Sequence, residues 1–217
     1  MDLNTAWPVP FFIDPQHLAV DAVVSFVISV LLAVTINAEA QAFAATFLGD
    51  TRIGAKDRFH FNAFLHLDIL GTACFLVAGF GWPRTMDVDP TKFKNPRLYT
   101  ALARLAGPVA NLLLANIAAS IVYLMRIVEF DPRVFSMLIG VNVTVAVYNL
   151  LPLPPLAVGT MISVLIPQNF QKLKWLFLQL GPFLVLAVVL LERITHKGIL
   201  SPYLNPVVVA VYKYIVG

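Results

Sequence analysis

Residues 20–48 form an apolar run without a lysine or arginine. A helix rises about 1.5 Å per residue, so about 20 apolar residues cross the hydrocarbon core of a bilayer. This run is long enough to do so, and it commits the chain to a membrane. Composition agrees: of 217 residues, 59% are hydrophobic and 12% charged, against about 25% charged in soluble domains. The length suits one integral membrane domain, residues 1–217. The formal charge of +3 calls for no nucleic acid. A lone Cys74 excludes an internal disulfide. The first residues lack a basic stretch and a cleavage site, so they do not read as a signal peptide.

Further spans are expected at about residues 102–125, 134–151 and 175–191. The third ends at "LPLPP", where prolines stop a helix. Residues 69–82, "ILGTACFLVAGFGW", are short and glycine-rich, which fits a re-entrant or β-like membrane-associated segment better than a crossing. The final run contains Pro206 and Lys213 and reads as interfacial or partly inserted. The expected fold is an all-α polytopic membrane protein of about four to six transmembrane helices.

Basic residues orient it. With residues 69–82 not crossing, Arg52, Lys56, Arg58, Arg84, Lys92, Lys94, Arg97 and Arg104 share a face with Lys172 and Lys174. The other face has Arg126, Arg133, Arg193 and Lys197. This bias places the N-terminus outside and residues 50–104 in the cytoplasm.

Within the first span lie Asn37, Glu39 and Gln41. Polar side chains at that depth are expensive and mark functional sites. Six stretches in order bear on their meaning. "LGD" closes the first span at Leu48, Gly49 and Asp50. "NAFLHLDILGT" carries Asn62, His66, Asp68, Gly71 and Thr72. "GFGW", "VDPTKFKNPR", "AGPVAN" and "NLLPLPPL" follow. Together they make residues 20–167 resemble the core of the site-2 protease family of intramembrane zinc metalloproteases, in its compact bacterial branch. Residues 168–217 add a C-terminal helix and an interfacial segment.

The resemblance implies a bacterial inner (cytoplasmic) membrane, or an internal membrane derived from it. It also implies a site. In the family, H-E-x-x-H sets two zinc-binding histidines on one helix face with a glutamate as general base. Aligned from "LGD", the histidine positions fall on Asn37 and Gln41 and the glutamate on Ala38. The third ligand falls on Ala157 and its neighbouring glycine on Val158. Zinc is therefore expected to be absent, with no other cofactor. The expected function is a catalytically inactive pseudo-protease. It would bind, scaffold or assist membrane proteins or transmembrane segments, as a subunit of a large membrane complex for example. The alternative is a divergent intramembrane metalloprotease with a non-standard site.

Glu39 sits roughly 200° around the helix from Asn37 and about 160° from Gln41, nearly opposite both. It is expected to face a partner or to pair internally, with Arg104 one choice. Asn37 and Gln41 are expected to hydrogen-bond each other or a neighbouring helix. Asn111 and Asn149 match family positions that hold substrate backbone, so a groove is expected there. A substitute metal site from His66 with His60 or Asp68 is the lesser reading. His17 and His196 read as interfacial. Gly107 and Pro108 read as aids to close helix approach.

Overall fold

A computed structural model describes residues 19–51 and 59–217. The N-terminal tail, His17, Arg52, Lys56 and Arg58 lie outside the described residues. Among the described residues seven α-helices follow in order: α1 (Val20–Phe47), α2 (Ile69–Ala78), α3 (Pro96–Ile127), α4 (Arg133–Tyr148), α5 (Ala157–Leu165), α6 (Gln171–Thr195) and α7 (Ser201–Val216). No strand occurs among the described residues. Three helices, α1, α3 and α6, are long and apolar enough to cross a membrane. The 16 residues of α4 are apolar but rise only about 24 Å.

Helices α1, α3 and α4 pack on one another and form the centre of the bundle. Small side chains allow it: Ala33, Ala38 and Ala42 of α1 are buried, as are Ala103, Ala115 and Ala118 of α3. In lipid there is no hydrophobic force between helices, so close backbone approach and dispersion carry the association. Gly107 marks the tightest point. A Cβ there would sit 2.4 Å from Asn37 Oδ1. A second apolar cluster joins Phe80 and Trp82 to Ile139 and Val143 of α4, Val185 of α6 and Val208 of α7. The final run is thus a full helix, α7, docked on α3 and α4.

The expected β-like segment is a short helix with a hydrogen-bonded return. Asp68 caps α2 by accepting from Gly71 N at 2.8 Å, and Gly79 ends it with φ 76°. The chain then doubles back. Leu67 bridges Pro83 in antiparallel fashion, and Arg84 N donates to His66 O at 2.7 Å. A Cβ on Gly71 would meet Trp82 O at 2.2 Å, so glycine is required for the return to lie so close.

The "LGD" turn has a similar local logic. Gly49 adopts φ 121°, open to glycine but strained for other residues. Asp50 is buried and accepts from Asp89 N at 3.0 Å, tying the end of α1 to the loop before α3. At "LPLPP" the chain leaves α4 and enters α5, a nine-residue helix not anticipated from the sequence. Asn149 spans the break: its Nδ2 donates to Val145 O at 2.8 Å and its Oδ1 accepts from Ala157 N at 3.0 Å.

Candidate metal centre

Two polar systems flank α1, on nearly opposite faces. On the inner face, Arg104 Nη1 donates to Gln41 Oε1 at 3.0 Å and Gln41 Nε2 to Asn37 Oδ1 at 2.8 Å. Asn37 Nδ2 donates to Asn111 Oδ1 at 2.6 Å, and Asn111 Nδ2 reaches both Ala33 O at 3.0 Å and Asn142 Oδ1 at 2.8 Å. Asn142 Nδ2 ends the ladder on Leu138 O. Asn37, Asn111 and Asn142 are fully buried, and every one of their amide groups is engaged. The sequence-predicted Asn37, Gln41 and Asn111 therefore meet in one network. Asn149 and Ala157 meet separately, at the α4–α5 break. Ala38 is buried and apolar.

On the other face, Glu39 turns toward residues 59–66. It does not pair with Arg104, whose guanidinium is held by Gln41 and by Met86 O at 2.9 Å. Instead Glu39 Oε1 accepts from the backbone N–H of His60 at 3.1 Å and of Phe61 at 3.0 Å. His66 Nε2 stands 2.9 Å from the same oxygen. The backbone at Phe61 has φ 44°, an uncommon value for a phenylalanine. Two consecutive N–H groups aimed at one carboxylate oxygen accompany that turn. His66 closes the one-turn helix Ala63–His66, which Asn62 caps by accepting from Phe64 N. The return at Arg84 then fixes the His66 backbone.

The carboxylate and the two imidazoles each offer a ligand atom, and these atoms lie within 4.8 Å of one another. Glu39 and His66 are buried and His60 is exposed, its ring edge-on to that of His66 at 5.3 Å. Tetrahedral bonds of about 2.0–2.1 Å put ligand atoms roughly 3.3 Å apart; Glu39 Oε1 and His66 Nε2 stand 2.9 Å apart, and all three groups fall within 4.8 Å. One observation argues for an absent fourth party. Glu39 Oε2 is buried and has no hydrogen-bond partner, an arrangement that costs about 1–3 kcal/mol when left uncompensated. Two histidines and a glutamate are a known catalytic zinc set, so the residues fit the ion. Asp68, weighed as a ligand from sequence, is occupied by Gly71 N and by Trp82 Nε1 at 3.0 Å.

Neither a family model nor a solved structure matches the chain. A curated protein of Bacillus subtilis (strain 168), named "Putative zinc metalloprotease YwhC", is 37% identical over 154 residues, 67% of this chain and 70% of that one. The expectation of a chain without zinc is thereby corrected. Glu39, His60 and His66 form a candidate metal-binding triad, and a relative bears the name "Putative zinc metalloprotease". The inactive pseudo-protease loses its support with it. Asn37, Ala38, Gln41 and Ala157, standing where the resemblance puts ligands and base, speak only to that one arrangement. They do not bear on a second arrangement across the helix.

Proposed function

The chain belongs to the metalloprotease family of this Bacillus subtilis relative, and from that premise we propose that it is a divergent intramembrane metalloprotease of the site-2 type, acting on transmembrane segments through a non-standard centre. The observation that carries the reading is the Glu39–His60–His66 cluster with its unpartnered Glu39 Oε2. Zinc held by three protein ligands with one position open lowers the pKa of its bound water to about 7 and polarises a carbonyl.

This chain's residues prepare such a centre in distinct ways. The N–H groups of His60 and Phe61 hold Oε1 and leave Oε2 free for the ion or for a proton. His66 is fixed through its backbone, whereas His60 is exposed. Glu39 lies eight residues before the end of α1, about 12 Å along the axis. With α1 crossing as proposed, that depth corresponds to a centre inside the bilayer, near one surface. In the proposed topology α1, α3, α4 and α6 cross, the N-terminus is outside, and the centre is on the cytoplasmic side of a bacterial inner membrane.

Metal analysis of the detergent-purified chain tests the reading. About one zinc per chain is expected, falling to background in Glu39→Gln and in His66→Ala. Zinc at background in the intact chain, or stoichiometric zinc in both variants, overturns it.

A further inference from the structure

The amide ladder occupies the face of α1 nearly opposite the metal cluster, and its bonds to α1 are specific in both height and angle. Asn111 grips α1 twice with a single amide. Its Oδ1 accepts from Asn37 Nδ2 and its Nδ2 donates to Ala33 O, one helical turn away. Two contacts a turn apart fix the sliding of α1 along α3. Because Asn37 takes part through its side chain, they also fix the rotation of α1 about its own axis. Gly107 lets the grip close, since a Cβ there would overlap Asn37. Around Asn37 the buried neighbours on α1 include the small Ala33, Ala38 and Ala42, whose methyl groups define rotation less sharply than a bonded amide does.

We infer that Asn111, acting through Asn37, is a positioning residue for the metal centre: it sets the rotation of α1 that aims Glu39 at His60 and His66. This rests on the metal-centre reading for its consequence, though not for its geometry. A rotation of one residue's worth, about 100°, would remove Glu39 from the cluster altogether. A fraction of that would separate Oε1 from the three groups around it. Asn142 supplies the internal control. It bonds Asn111 and the α4 backbone but does not touch α1 through any hydrogen bond described here.

The experiment compares Asn111→Ala with Asn142→Ala in two readouts. The first is zinc affinity of the full chain in detergent, by competition with a chromophoric chelator. The second needs no metal: Glu39→Cys with His66→Cys, in a Cys74→Ala background, is treated with a short bifunctional thiol reagent. Asn111→Ala is expected to weaken zinc at least about tenfold, as loss of outer-shell support does, and to cut cross-linking severalfold. Asn142→Ala, at similar thermal destabilisation, leaves both near the parent values. Equal losses in the two variants, or no loss with Asn111→Ala, overturn the positioning role. If the intact chain binds no zinc while cross-linking still depends on Asn111, the positioning role stands and the metal-centre reading fails.

Discussion

Exchanging Glu39 for glutamine separates the carboxylate's structural role from its metal role. Glutamine keeps an oxygen where Oε1 accepts from His60 N and Phe61 N and stands beside His66 Nε2. Hydrogen bonds to a charged group contribute about 1.5–3 kcal/mol and neutral ones about 0.5–1.5. At about 1–1.5 kcal/mol per contact, the metal-free protein therefore loses roughly 3–4.5 kcal/mol across the three contacts. The metal term is different in kind. Zinc buffered at 100 times its Kd stabilises a folded chain by about 2.7 kcal/mol, or roughly 5–10 °C in Tm for a chain of this size. Thermal unfolding of detergent-solubilised protein, with chelator and then with buffered zinc, reads both quantities. The parent chain gains the full shift, and Glu39→Gln starts roughly 6–18 °C lower and gains none. A zinc shift that persists in Glu39→Gln, or one absent from the parent, would refute the reasoning.

Three further outcomes follow from the packing. Gly107→Ala puts a Cβ 2.4 Å from Asn37 Oδ1 and lowers stability by about 1–3 kcal/mol through overpacking, seen as a lower Tm in the same assay. Trp82→Phe removes the Nε1 bond to Asp68 but leaves that carboxylate on Gly71 N; the loss is about 1 kcal/mol, read from thermal unfolding. Glu192 Oε1 gathers the N–H groups of Leu200 and Ser201 and the Ser201 hydroxyl at the turn into α7. Its replacement by alanine costs about 1–2 kcal/mol at this partly exposed site and speeds amide hydrogen exchange in the first turn of α7, while α1 is unaffected.

The helices long enough to cross were legible because apolar length is a local property. The runs at residues 20–48, 102–125 and 175–191 match the cores of α1, α3 and α6. Helix α5 was not, since nine residues behind "LPLPP" show neither spanning length nor several turns of periodicity. At the site, the angular argument placed Glu39 away from Asn37 and Gln41, as the two polar systems on α1 show. What failed was the step from lost ligands to lost metal. A motif ties ligands to fixed spacings on one helix face, whereas Glu39 and His66 are 27 residues apart and meet only because the chain folds back beneath α1. The available signal was physical. A carboxylate buried in a membrane helix needs a partner, and the next two histidines along the chain, His60 and His66, lie in the following membrane-associated segment.

Zinc K-edge X-ray absorption on the purified chain tests the central claim most directly. The Glu39–His60–His66 centre predicts four-coordinate zinc with two imidazole ligands and oxygen at about 2.0–2.2 Å, the zinc edge itself falling to background in His66→Ala. A spectrum of oxygen ligands alone, without imidazole scattering and unchanged in His66→Ala, would contradict it.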